Sequence, residues 1–313
     1  MTDGPVLVAR SLAVRYGSTE AVRGVSFEVC AGEVLGLIGP DGAGKTSTLR
    51  VLAGLLRASD GVAEAFGEPC WDSRRALHNR LGYLAQRFAL YGDLTVDENV
   101  QFFALMYGVP HWRERRARLL ELVGLEPFRD RLAERLSGGM RQKLALACTL
   151  IHSPKVLLLD EPTTGVDPVT RRELWRLLAE LVGDGLTLVV ATPYLDEAER
   201  CTRVVLVHRG EVLADGRPAD IPSRMPGSVV RVTAGDRNAA FNALDAADGV
   251  ADVAVFGTSL HARIDAADSD AEDRVRRLLH EAHVEADVCV VQPSLEDAFL
   301  YLTTHDTALT EAT

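Results

Sequence analysis

Residues 34–46 read VLGLIGPDGAGKT. Val34 to Ile38 is a short, wholly apolar run, the pattern of a strand buried on both faces. A glycine-rich turn follows, and KTSTLRVLAGLL reads as a helix from Lys45 to Leu56. Gly39, Pro40, Asp41, Gly42, Ala43, Gly44, Lys45 and Thr46 match GxxxxGK[ST] in a strand–loop–helix context. There the loop's N–H groups can wrap phosphates, with Lys45 reaching the terminal ones and the Thr46 hydroxyl facing Mg²⁺. The alternative is a purely structural glycine turn, which the flanking strand and helix disfavour.

Upstream, Val6 to Ala9, Leu12 to Tyr16 and Val25 to Cys30 alternate like antiparallel strands. Downstream, Leu81 to Ala85 reads as a strand. Thr95-Val96-Asp97-Glu98 is a capping-box pattern opening a helix with Val96, Val100, Phe103 and Tyr107 on one face. Trp112 to Val123 reads as a second, Arg-rich helix. A helical insertion is therefore expected between about residues 87 and 151. Strand (Lys155 to Asp160), helix (Pro168 to Val182), strand (Leu186 to Ala191) and a hairpin (Val204 to His208, Glu211 to Ala214) come next. Strands alternating with helices predict an α/β fold with a parallel sheet.

Two further stretches carry chemistry. Val156-Leu157-Leu158-Leu159-Asp160-Glu161 ends a buried strand in two carboxylates. Such strand ends lie beside the phosphate loop, so Asp160 can hold the Mg²⁺ shell and Glu161 can polarise a water. An ordinary acidic strand end is the alternative. Leu136-Ser137-Gly138-Gly139-Met140-Arg141-Gln142 opens a helix with Ser137 at the N-cap and two glycines that permit close backbone approach. Its bare N–H groups suit an anion, or simply a capped helix with nothing bound.

The chain has 313 residues, 47% hydrophobic and 25% charged, a globular composition. No apolar run approaches the ~20 residues of a membrane span. The start, MTDGPVLVARS, lacks an apolar secretory region, so a cytoplasmic location is expected. Five scattered cysteines without CxxC fit a reducing compartment. From Ile221 onward seven arginines face sixteen acidic residues, so of the net −11 only −2 belongs to the first 220 residues. That acidity argues against a nucleic-acid partner. His78, His111 and His152 have no metal-ligand spacing and read as surface residues.

Gly216 to Ser228, with Pro218, Pro222 and Pro226, reads as a linker. Beyond it come strand (Val229 to Thr233), helix (Asn238 to Ala246), strands (Val250 to Phe256, Ser259 to Ile264), helix (Ala271 to Ala282) and strand (Val284 to Val291). This βαββαβ order predicts a small ferredoxin-like α+β domain. A helix, Leu295 to Leu302, follows. The expected domains are 1–216, a linker 217–228, 229–302 and a loose tail 303–313.

The phosphate loop, LSGGMRQ and the DE strand end, in this order, resemble the nucleotide-binding domain of ABC transporter ATPases over roughly residues 6 to 216. The resemblance implies a P-loop NTPase sheet with antiparallel N-terminal strands, and ATP with Mg²⁺ as cofactors. It implies that Tyr16 stacks on adenine, that Ser47 joins the nucleotide contacts, and that Gln86 links Mg²⁺ and the attacking water to the insertion. For Tyr16 the alternative is packing in the sheet, and for Gln86 a solvated strand end. In the family two domains pair head to tail, each ATP lying between one phosphate loop and the partner's Ser137-Gly138-Gly139 equivalent. Gly165-Val166-Asp167-Pro168 is similar to the loop crossing that interface. The expected partners are a membrane-spanning permease, which would hold the chain on the inner face of the cell membrane, and a second ATPase subunit.

LGYLAQRFALYGDLTVDENV, LACTL and GVDPVTRRELW resemble the first half of tandem multidrug-exporter ATPases, and PSLEDAFLYLT resembles the tail of drug and antibiotic exporter ATPases. The pattern departs at Ala191-Thr192-Pro193, where the family has a switch histidine after the strand. Proline has neither a polar side chain nor an N–H. Asp41, where the family mostly has Asn, adds a charge that repels phosphate. Two readings follow: Glu161 and a neighbour compensate, or the site binds ATP and hydrolyses it slowly. The competing functions are a ribosome- or DNA-associated ABC ATPase and a nucleotide sensor that never turns over.

Overall fold

The computed structural model describes residues 4–87, 90–265 and 268–305. They fall into two compact units, divided between Val212 and Leu213. In the first, β1 (Leu7–Tyr16) and β2 (Thr19–Val29) form an antiparallel pair. The two short strands expected before Tyr16 are one strand, broken by a register shift between Ala9 and Leu12 where Ser11 adopts φ +47°. A bulge of this kind interrupts the alternation without ending the pairing.

β3 (Val34–Ile38) is buried at all five positions, an interior strand with Thr187–Thr192 and Arg203–His208 parallel to it on either side. α1 (Lys45–Leu52) follows and is shorter than expected. Gly54 at φ +69° ends it, with Leu55 N–H donating to Arg50 O at 2.8 Å. A left-handed glycine with such back-bonding is a helix stop. β4 (Asp60–Ala65) pairs with β1 and carries β5 (Glu68–Pro69) at its edge. Sequence reading missed β4 because DGVAEA has one β-branched residue and low strand propensity. Pairing with β1 overrides that.

A one-turn α2 (Arg74–Leu77) precedes β6 (Leu81–Leu84). The insertion then holds α3 (Val96–Met106), α4 (Trp112–Leu122) and α5 (Gly138–Leu150). The capping box is present: Glu98 N–H donates to Thr95 Oγ1 at 3.1 Å and Thr95 N–H to Glu98 Oε2 at 2.8 Å. The Arg-rich helix is partly spoken for, since Arg115 donates to Leu150 O and Arg116 pairs with Asp97. β7 (Val156–Asp160), α6 (Pro168–Gly183), β8 (Thr187–Thr192), a one-turn α7 (Leu195–Ala198), β9 (Arg203–His208) and β10 (Glu211–Gly216) complete a sheet of order β10-β9-β3-β8-β7-β6. The core lies under the antiparallel sheet, where Leu12, Phe27, Leu35, Leu49, Leu158 and Val189 pack together.

His152 corrects the reading of the histidines as surface residues. Its ring stacks on Tyr107 at 4.0 Å, Nδ1 is buried without a hydrogen-bond partner, and burial pushes its pKa down to about 4.

In the second unit, β11 (Ser228–Ala234), α8 (Arg237–Asp245), β12 (Val250–Phe256), β13 (Ser259–Ile264), α9 (Asp268–Glu281) and β14 (Ala286–Val291) form an antiparallel sheet of order β12-β13-β11-β14. That is the ferredoxin-like arrangement. Val230, Val232, Leu260 and Ile264 meet Leu244, Val275 and Leu279 of its two helices. The Pro-rich stretch is not structureless: Pro222–Arg224 is a 3₁₀ turn and β11 starts within it at Ser228. α10 (Leu295–His305) outruns the expected helix, so Thr303, the expected start of a loose tail, lies within it and donates to Phe299 O at 3.0 Å. Residues 306–313 of that tail lie outside the described residues.

Candidate active site

The loop after β3 is shaped by close backbone contacts. A Cβ on Gly39 would lie 2.1 Å from Val207 O, and one on Gly44, at φ +99°, 2.4 Å from Ala21 O. Pro40 O accepts from Ala43 N–H at 3.2 Å. Asp41 and Gly42 are exposed at the tip. The loop curls around Lys45, whose ammonium donates to Gly39 O at 2.7 Å and Pro40 O at 2.9 Å. Lys45 is 4% exposed; burial lowers its pKa, against the raising pull of Glu161, Asp41 and Asp160. Ala21, residues 42–47 and Glu161 line a cleft of about 150 Å³.

β7 lies two strands from β3 and brings the carboxylates to this cleft. Thr46 Oγ1 donates to Asp160 Oδ1 at 2.9 Å, and Lys45 Nζ lies 3.8 Å from Glu161 Oε1. Glu161 takes φ +50°, unfavourable for a side chain with a Cβ and held only where neighbours over-determine it. Its N–H donates to Ala191 O at 2.8 Å; its Oε2 accepts from Gln86 Nε2 at 2.7 Å and Thr164 Oγ1 at 3.1 Å. Gln86 is exposed, two residues beyond the end of β6, and its amide donates into the cleft to Glu161. Tyr16 is 48% exposed with its hydroxyl 3.3 Å from Ser47 Oγ, so its ring is not sunk in the sheet.

Sequence reasoning missed Tyr83. Its hydroxyl donates to Asp160 Oδ2 at 3.1 Å; burial and the Asp160 charge push its pKa up to about 12. A polar aromatic near the end of a buried strand, three residues before Gln86, was the available signal.

Ser137, Gly138 and Gly139 are not in the lining of this cleft. Ser137 caps α5 by accepting from Met140 N–H at 3.2 Å. A Cβ at Gly138 would meet open space, and one at Gly139 would crowd the Thr170 side chain at 2.6 Å. Asp167 caps α6, accepting from Val169 and Thr170 N–H at 3.0 Å each; its bonds with Thr170 hold its pKa low. Pro193 sits half-buried in a bend after β8, where Tyr194 N–H donates to Thr192 Oγ1 at 3.1 Å.

The metal implied by such a site can be tested against its donors. Among the described residues no group of three His, Cys, Asp or Glu could hold an ion. A hydroxyl and a carboxylate, Thr46 and Asp160, stand together instead. Mg²⁺ typically takes one or two carboxylates and draws its other ligands from phosphates and water, so the residues fit it.

This parallel sheet, glycine loop, buried lysine and pair of strand-end carboxylates define a phosphate-loop nucleotide-binding protein. The ABC transporter family model matches residues 22–164. The chain is 34% identical over 308 residues to the linearmycin resistance ATP-binding protein LnrL of Bacillus subtilis, covering 95% of this chain and 98% of that one. It belongs to the ABC transporter ATP-binding proteins. It is also 43% identical over 304 residues to the probable multidrug ABC transporter ATP-binding protein YbhF of Escherichia coli, which covers 95% of this chain; the chain spans only 52% of that relative's length. A solved ATP-binding subunit of an ABC transporter superposes with a TM-score of 0.64 at 29% identity, over 70% of this chain and 92% of that one.

Proposed function

We propose that the chain is an ATP-hydrolysing subunit of a membrane exporter for drug-like or antibiotic molecules. The observation that carries this is one cleft in which Lys45 and Glu161 face each other at 3.8 Å beside the Thr46–Asp160 bond. The amides of residues 39–46 would cradle the phosphates and Tyr16 would stack on the base, with Ser47 at its hydroxyl. Lys45 would exchange its carbonyl partners for terminal phosphate oxygens. Thr46 and Asp160, with Gln86 near by, would hold Mg²⁺, which when bound offsets phosphate charge. Glu161, oriented by Gln86 and Thr164, would accept a proton from the attacking water.

Ser137 to Gly139 lie outside the lining of their own cleft. In this reading they cap the γ-phosphate bound to a second ATPase subunit, head to tail. That subunit is a different chain bearing a histidine where Pro193 stands, and the Pro193-containing site turns over slowly. The insertion would dock a cytoplasmic helix of the permease. Exposed Leu105 and Met106 and a groove of about 500 Å³ lined by Leu55, Arg74, Arg75, His78 and Tyr107 support this. Among the described residues no helix is long and apolar enough to cross a membrane, so placement at the inner membrane face would come through that permease.

Two measurements test the nucleotide site. Lys45→Ala removes the one lysine at the loop, and Mg-ATP affinity should fall at least tenfold, about 1.4 kcal/mol. A folded Lys45→Ala chain that binds Mg-ATP normally would sink the assignment. Residues 1–216 alone should still bind Mg-ATP, because the second unit has its own core. A truncated chain that cannot fold would count against separable domains. The acidic second unit, in this reading, stabilises or regulates the dimer.

A further inference from the structure

Behind the cleft lies a carboxylate that the chemistry above does not use. Glu197, in the turn after β8, is 0% exposed. Its Oε1 accepts from Thr163 Oγ1 at 2.5 Å and from Trp175 Nε1 at 3.2 Å, and Arg171 Nε lies 3.8 Å away. Oε2 has no hydrogen-bond partner, and neither does Arg171 Nε. Burying a carboxylate that is only half satisfied opposes folding, so a role other than stability is the natural reason for keeping it.

Its contacts point towards Glu161. Thr163 is followed by Thr164, which donates to Glu161 Oε2, and Thr164 N–H donates back to Glu161 O at 3.2 Å. Glu161 itself holds a strained φ that needs outside support. The Arg171 guanidinium lies over the Tyr194 ring at 4.5 Å, next to Pro193. Glu197 therefore ties together the turn after Glu161, the helix α6 and the bend that carries Pro193.

We infer that Thr163 and Glu197 are positioning residues for Glu161. Their bond holds the Glu161–Thr164 turn from beneath, beside a bend where Pro193 supplies no side-chain donor. Neither residue lines the cleft; they act by setting where the Glu161 carboxylate points. This rests on the hydrolytic reading of the cleft.

The test uses the full chain with the membrane protein that co-purifies with it. Thr163→Val keeps the buried shape and removes the hydroxyl. In a complex whose second ATPase subunit carries an inactivated site, so that only this chain's cleft turns over, its kcat should fall at least tenfold while Mg-ATP affinity stays within twofold, because the phosphate loop is built on a different strand. Thr163→Ser, which keeps the hydroxyl, should recover kcat to within about threefold of wild type. A Thr163→Val enzyme with wild-type kcat, or a Thr163→Ser enzyme as impaired as the valine variant, overturns the inference. If the wild-type complex does not turn over at all, the hydrolytic reading fails, and amide hydrogen exchange with Mg-ATP bound decides instead. Thr163→Val should then speed exchange at Thr164 and Val166 at least fivefold, with β3 and α1 unchanged. Equal exchange in the two proteins overturns the inference independently of hydrolysis.

Discussion

Ser137→Arg should cut the steady-state ATPase of the assembled transporter at least tenfold, whereas Glu161→Gln should remove no more than about half. The asymmetry follows from where the two residues act in the proposed head-to-tail pair. In that proposal Glu161 serves the slower cleft, whose neighbouring bend carries Pro193. Ser137 caps α5, a 13-residue helix whose first turn has no acidic residue. Its free N–H groups would close on the partner subunit's γ-phosphate, where charge develops during transfer. An arginine at the cap removes the hydroxyl that Met140 N–H donates to and puts a long side chain in that gap. Steady-state ATPase of both variants in the reconstituted complex is the measurement. Abolition by Glu161→Gln with a mild Ser137→Arg defect would show that this chain's own site drives turnover. Robust ATPase from this chain purified alone would point to a symmetric homodimer.

Gly39→Ala should destabilise the first unit by about 3 kcal/mol, at the upper end of the usual cost of overpacking. The new methyl would lie 2.1 Å from Val207 O, an atom of the neighbouring strand's backbone that cannot rotate away. Either β3 or β9 must shift, and both are central to the sheet. Gly42→Ala is the control. Its Cβ meets open space, so only its positive φ is strained, costing about 1–2 kcal/mol. Denaturant unfolding of the two variants separates a steric clash from a conformational preference. Equal midpoints would mean that the loop relaxes around the added methyl.

The phosphate loop was legible because its signal is local. Glycines, one lysine and one threonine at fixed spacing between a strand and a helix need no long-range information. The boundaries of β3 and β12, the capping box at Thr95 and Glu98, and the βαββαβ order of the second unit were equally local, set by periodicity and hydrogen-bonding side chains. Where propensity was weak the reading failed. β4 exists because β1 offers an edge to pair with, and the end of α1 was hidden because Gly54 looks like any glycine until its φ is known. His152 read as a surface residue because nothing in its neighbours' sequence announces a stack on Tyr107, 45 positions away.

Sequence alone determined the class of the fold, the phosphate loop and the identity of the two strand-end carboxylates, since each depends on residues within one strand or turn. Tertiary structure decided how those groups are held. Thr46 reaches Asp160 across 114 positions and Gln86 reaches Glu161 across 75. Tyr83 meets Asp160, and Thr163 meets Glu197, only because parallel strands place their ends side by side. Hydrogen bonds act over about 3 Å, a distance that has no counterpart along the chain until the sheet is assembled.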